Sequence, residues 1–269
     1  MIIKKFNKRT KEEIKNFLVL KDLQCNYLDW CKWAGWIDTD GYVKLEKTPK
    51  GKPYQRLSLS LRDRQPVELL SNFMESPLFY REHITFTPEP YRNKYIAKEF
   101  ITTVVGEKLM FLIKKIYPYM LNKEKKLRIC KILGYEPESK KLDDWTKQEV
   151  VSYFATALEG DGSVQNRKCT TKKDSINVYI SSSNVQYLSD IKYLIDKNFN
   201  TCLHLAEIST YQTKQGVKTK YRLYITTNNN DNMEKLFRML IADNIMTLDR
   251  KRNKIIQHLN QGETYEQRL

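Results

Sequence analysis

At 269 residues the chain has room for one or two domains with a full-sized core, and a composition of 41% hydrophobic and 29% charged residues with only 9 Gly and 8 Pro argues against a disordered or collagen-like polypeptide. Lys and Arg outnumber Asp and Glu by 47 to 32, and the net charge of +15 points to a polyanionic partner, either nucleic acid or an anionic membrane. No run approaches the roughly 18 apolar residues that a bilayer span needs, which leaves nucleic acid as the stronger reading.

In chain order, the N-terminal stretch MIIKKFNKRTKEEIK has no apolar signal-sequence core, and Glu12 and Glu13 argue against a transit peptide. Asn26 caps a predicted helix over Tyr27–Ile37, with Asp29 at its third position. Alternation with a period of two follows: Val43 and Leu45 on one face, Lys44 and Glu46 on the other. The turn Pro49–Lys52 leads into Arg56–Arg62, where Leu57, Leu59 and Leu61 share the buried face. A helix over 66–74, strands near 79–87 and 91–102, and helices over 105–116 and 122–133 complete the first half. The polar stretch 135–144 reads as a linker.

The second half repeats that order. Thr146 and Glu149 form a capping-box pattern before a helix over Val150–Leu158. Strands are expected near 163–171 and 175–182, a helix over Val185–Lys197, then strands near 201–213 and 217–227 about the turn Lys214–Lys218. Helices over 231–242 and 248–259 close the chain. The expected fold class is α+β, with two pseudo-symmetric αββαββα halves joined at paired helices and antiparallel, four-stranded sheets forming a saddle. The halves are assigned to 1–134 and 146–269, with the linker at 135–145.

The four strand pairs, about a third of the chain, hold 19 basic and 7 acidic side chains and so carry +12 of the net +15. On the last strand Lys220, Arg222, Tyr224 and Thr226 face away from Tyr221, Leu223 and Ile225. Such a face suits reading of a major groove, with lysines on the phosphates, although solvated sheet faces are commonly rich in Lys, Thr and Ser as well. The candidate contact residues are Lys44, Glu46, Arg56, Ser58, Ser60, Arg62 and Arg64 in the first half. In the second they are Gln165, Arg167, Asn177, Tyr179, Ser181, Lys220, Arg222, Tyr224 and Thr226. Five scattered cysteines without a C-x-x-C pair fit a reducing compartment better than a disulfide scaffold or zinc finger. Three dispersed histidines offer little to a nuclease built on clustered imidazoles.

The two helices end in related segments, Trp33-Ala-Gly-Trp-Ile-Asp-Thr-Asp-Gly41 and Phe154-Ala-Thr-Ala-Leu-Glu-Gly-Asp-Gly162. Both have Ala second, an acid sixth and Asp-Gly last. Small residues (Ala34, Gly35, Ala155, Thr156) let two helices approach closely. Each helix then delivers an Asp at its C-terminal end, where the helix dipole is already negative. These segments and the element order after them resemble the LAGLIDADG homing endonucleases in their single-chain, two-motif form, over all but about the first 20 residues.

The resemblance implies that Asp40 and Asp161 bind divalent metal ions and are catalytic, helped by the carbonyls of Thr39 and Gly160. Mg²⁺ or Mn²⁺ is the implied cofactor, with Ca²⁺ as a non-catalytic substitute. Asp38 and Glu159 are expected to make helix-end contacts. Matching Leu121-x-Lys123 with Leu248-x-Arg250 nominates Lys123 and Arg250 as basic catalytic residues, with plain phosphate contact as the other reading. The chain departs from the family pattern at the ends of the second strands. It reads Leu61-Arg-Asp63 and Ser182-Ser-Asn184 where many relatives carry Gln followed by Lys-Asp. Ordered water there would need another support, from Arg62 or Arg64 on one side only.

The implied activity is metal-dependent, site-specific cleavage of double-stranded DNA by a monomer, for intron or intein homing. Strands of about 10 residues span about 33 Å, so two halves would cover an asymmetric site of about 20 bp. An intron-RNA-binding maturase on the same fold is the alternative; a DNA-binding regulator would be expected to have lost one or both of the two Asp residues. Abundant Lys, Asn and Ile fit an AT-rich genome, such as that of an organelle or phage, with no membrane partner expected.

Overall fold

The structure, a computed structural model, describes all residues except 48–52, 87–93, 168–174, 214–215, 227–230, 243–244 and 267–269. It is α+β, with two antiparallel sheets. The chain divides into two compact units, Met1–Gln24 with Asp40–Lys115 and Leu127–Glu136, and Cys25–Thr39 with Ile116–Lys126 and Pro137–Leu269. Among the described residues no helix is long and apolar enough to cross a membrane.

The first unit begins with β1 (Ile2–Lys4) and α1 (Lys11–Gln24), followed by β2 (Gly41–Lys47), β3 (Pro53–Leu61), α3 (Arg64–Met74), β4 (Leu78–Phe86), β5 (Lys94–Val105) and α4 (Gly106–Ile116). Its sheet has the order β1-β4-β5-β3-β2 and therefore five strands, not the expected four. The extra strand comes from the N-terminus: the Met1 ammonium and carbonyl bond the Tyr80 carbonyl and amide, at 2.8 and 2.9 Å. The following α1 is tied on by Arg9, whose guanidinium makes two 2.7 Å bonds to the Glu75 carboxylate. Its Thr10 and Glu13 form a reciprocal cap.

Period-two alternation sets the core of this sheet. Val43 pairs with Leu57, Leu57 with Val104, Leu59 with Thr102 and Thr102 with Leu78, and all six are buried. Helix α3 covers this face with Val67, Leu70 and Met74. Leu45, expected in the same core, is 51% exposed. Leu61 is half-buried. The turn at Pro49–Lys52 lies outside the described residues.

The second unit contains α2 (Tyr27–Thr39), which ends two residues beyond expectation, and α6 (Lys147–Asp161). Helix α5 (Lys123–Leu133) begins in this unit and ends in the other. The sheet follows as β6 (Gly162–Arg167), β7 (Ser175–Ser182), β8 (His204–Thr213) and β9 (Gly216–Thr226), in the order β6-β7-β9-β8. Helices α7 (Val185–Phe199), α8 (Asp231–Ile241) and α9 (Asp249–Glu266) complete it. Val164, Ile176, Val178, Ile180, Leu223 and Ile225 form the buried face. The strand residues 168–171 and turn residues 214–215 expected here lie outside the described residues.

Candidate active site at the ends of the motif helices

Both motif helices start from reciprocal caps. Asn26 Oδ1 accepts from the Leu28 and Asp29 amides while Asp29 accepts from the Asn26 amide. Thr146 and Glu149 form the capping box expected for α6. The helices pack side by side, and their partners advance together: Thr156 Oγ1 donates to the Lys32 carbonyl at 2.9 Å, and Trp36 Nε1 to Glu159 at 3.1 Å. They therefore run in the same direction. The small residues do what their size suggests. A Cβ on Gly35 would lie 2.2 Å from Thr156 Oγ1 and 2.5 Å from the Tyr153 carbonyl, and Ala34, Ala155 and Thr156 are fully buried.

The sixth-position acids hold the helix ends. Asp38 Oδ2 accepts from the Leu121 amide (2.5 Å), the Asn122 amide (3.2 Å) and the Tyr153 hydroxyl (2.6 Å). Glu159 accepts from the Thr247 amide, the Thr247 hydroxyl (3.0 Å), the Leu248 amide (2.7 Å) and Trp36. Burial pushes both carboxyls above their ordinary range, against the pull of these donors. Both acids make the expected helix-end contacts.

Two lysines crown the same ends. Lys125 Nζ donates to the carbonyls of Ile37 and Thr39, each at 2.8 Å. Lys251 is 4% exposed, and its ammonium donates to the carbonyls of Leu158 (2.7 Å), Glu159 (2.5 Å) and Gly162 (2.7 Å). Carbonyls at a helix C-terminus attract cations, and each lysine donates to those at the end of its helix. Lys123 and Arg250, nominated from sequence, are exposed instead, and Lys123 is near enough to act on the charge of Asp190, on α7. The missed signal is one of register. Leu121 and Asn122 are the counterparts of Thr247 and Leu248, because each pair of amides binds the sixth-position acid of its helix. Three residues beyond each pair stands a lysine. Matching leucine to leucine shifts the alignment by one.

Asp161 is the last residue of α6 and its side chain is open to solvent. The protein around it nevertheless raises its carboxyl pKa by desolvation, opposed by the charges of Lys125, Lys251 and Lys220. The lysine bound to the end of α2 thus also acts on the acid at the end of α6. Asp40 directly follows Thr39 and is half-buried. Among the described residues no group of three or more His, Cys, Asp or Glu side chains gathers. The group that suits a hard cation is the Asp161 carboxylate, whose negative charge is disfavoured where it stands; of the two carbonyls assigned to a metal, that of Thr39 already accepts from the Lys125 ammonium. Carbonyls, water and substrate oxygens would complete such a coordination shell.

The open sheet faces carry most of the residues expected of them, in two different states. On the first sheet Glu46 pairs with Lys44 and with Arg56 (3.3 Å), Ser58 bonds Thr103 (2.9 Å), and Glu99 receives Ser60 and Arg81. Arg62 lies in the turn after β3 and Arg64 in the first turn of α3, where it pairs with Glu68 at 2.9 Å, so neither stands on a strand. On the second sheet Gln165, Asn177, Tyr179, Ser181, Lys220, Arg222 and Tyr224 fall on the face opposite the core. Arg167 and Thr226 end their strands, and their side chains lie outside the described residues.

No family model matches the chain, and no curated protein does. Solved structures similar to it include LAGLIDADG homing endonucleases. The LAGLIDADG meganuclease I-AabMI bound to uncleaved DNA is 9% identical with a TM-score of 0.49, covering 91% of this chain and 92% of that one. I-SmaMI, a LAGLIDADG homing endonuclease bound to cleaved DNA, is 13% identical with a TM-score of 0.46, covering 89% and 88%. A variant of I-DmoI, in complex with nicked target DNA in the presence of manganese, is 13% identical with a TM-score of 0.44, covering 81% and 97%.

Proposed function

We propose that the chain is a monomeric LAGLIDADG homing endonuclease, cutting both strands of an asymmetric DNA site of about 20 bp, the length two such sheets would span. The observation that carries this reading is the pair of motif helices. They are joined at Gly35, each is crowned by a buried or half-buried lysine, and they end in Asp161 and, one residue past α2, in Asp40. A pair of close-packed helices held only for stability has no need of acids at their negative ends, where the dipole opposes them.

In this reading Asp40 and Asp161, with the carbonyls of Thr39 and Gly160, hold Mg²⁺ or Mn²⁺. A bound divalent ion supplies Lewis acidity toward a phosphate and an activated water for in-line attack. The chain's own residues do the rest. Asp38 and Glu159 fix the angle at which the motif ends are presented. Lys125 and Lys251 keep positive charge where a pentavalent phosphate would develop negative charge. The open sheet faces grip the duplex through phosphate and base contacts.

The test is incubation with a duplex spanning the insertion junction of the DNA that flanks its reading frame. Wild type is expected to cut both strands with Mg²⁺, while Asp161→Asn and Asp40→Asn bind but do not cut. If Asp161→Asn cuts both strands as wild type does, the assignment of the metal ligands fails. If wild type neither binds nor cuts the junction, the reading of the whole chain fails.

A further inference from the structure

One arginine on the open face of the second sheet is held in a fixed pose. Arg222 stands on β9, a strand with a neighbour on either side. Its guanidinium carbon is 4.1 Å from the ring centroid of Tyr179 and 5.6 Å from that of Tyr224. Its Nε donates to Ser181 Oγ at 3.3 Å. The two tyrosines are themselves braced: Gln165 donates to the Tyr179 hydroxyl at 3.2 Å, and His204 stacks on Tyr224 with centroids 5.9 Å apart. Among the described residues no carboxylate pairs with Arg222. The first sheet is the opposite case, where Glu46 and Glu99 engage Lys44, Arg56 and Arg81.

We propose that Arg222 reads a guanine from the major groove and so determines specificity in the second half of the target. The inference rests on the endonuclease reading above. Nε is turned to Ser181, and Nη1 gives one hydrogen to the Tyr224 hydroxyl at 3.5 Å, which leaves an N–H on each terminal nitrogen for a fork whose spacing matches O6 and N7 of guanine. Stacking on Tyr179 fixes the plane of that fork before binding, so little side-chain freedom is lost on contact. A side chain in the middle of a sheet laid along a groove meets base edges, while those at the margins meet phosphates. A phosphate contact would need neither the aromatic clamp nor the fixed plane. It would also be served as well by lysine.

The experiment is selection of bound duplexes from a randomised pool by wild type, Arg222→Ala and Arg222→Lys, with sequencing of what each retains. Wild type is expected to prefer guanine at one position of one half-site by about 5- to 150-fold, the worth of one bidentate contact. Arg222→Ala loses that preference and keeps the others. Arg222→Lys keeps the salt dependence of binding without restoring the guanine preference, and its thermal melt reports whether the fold is intact. A uniform loss of affinity in Arg222→Ala that Arg222→Lys repairs, with every base preference kept, means a phosphate contact and overturns the proposal. A wild-type pool with no enriched sequence overturns the endonuclease reading instead, and this inference with it.

Discussion

The indole N–H of Trp36 on one motif helix donates to the Glu159 carboxylate on the other at 3.1 Å, with both residues buried. The bond joins the helices through the same acid that anchors Thr247 and Leu248. Trp36→Phe removes the donor and leaves most of the ring volume. We expect a loss of about 1.5–3 kcal/mol, the range for hydrogen bonds to charged groups. Urea unfolding should show a lower midpoint at an unchanged slope.

Gly35 owes its place to space. Its φ lies outside the left-handed range, but a Cβ would strike the Tyr153 carbonyl, which is backbone and cannot turn aside. Gly35→Ala should cost about 1–3 kcal/mol by overpacking. Gly134→Asn is the control: φ is +78° with nothing within 4 Å of an added Cβ, and Asn tolerates that conformation. Thermal melts of the two variants should separate them clearly.

Lys251 satisfies three carbonyls and Lys125 two. Replacement by Met keeps the apolar stem and removes the donors. Lys251→Met should therefore destabilise more than Lys125→Met, by at least about 1 kcal/mol. Both should reduce cleavage more than DNA binding, measured by single-turnover cutting and by equilibrium binding in Ca²⁺. Equal stability losses for the two would contradict the unequal capping.

Asp38 bears on the pH dependence of folding. Burial raises its carboxyl pKa above the ordinary value of 3.8, so the folded chain binds this proton more tightly than the unfolded one does. Its contribution is complete below the unfolded value and is lost as pH rises through the folded one. Relative to Asp38→Asn, wild type should lose stability between strongly acid and neutral pH. Urea midpoints of both proteins across that range check the sign.

The parts legible in the sequence were those with strong local rules. Asn26 and Thr146 announce their helices because a capping side chain has one geometry, and Leu57 and Leu59 announce their strand because burial follows a period of two. Helix α1 was not legible: Val19, Leu20 and Leu23 are all exposed, so no apolar stripe marks it, and β1 is three residues long, too short for alternation to register. Lys125 and Lys251 were obscured by neighbouring cations in Lys123–Lys126 and Arg250–Arg252. Only the amides bound to Asp38 and Glu159 fix which of them points at the helix ends.

The bonds across the motif helices come from places that do not correspond. Counting back from the final Asp, Tyr153 stands where the first half has Lys32, and Trp36 stands where the second has Ala157. A symmetric dimer made from the second motif alone would set Ala157 against Glu159, leaving that carboxylate without its indole donor. One made from the first alone would offer Asp38 an ammonium in place of the Tyr153 hydroxyl. Each motif helix therefore supplies a donor that the other lacks, Trp36 from the first and Tyr153 from the second, and the pair is matched as two different surfaces.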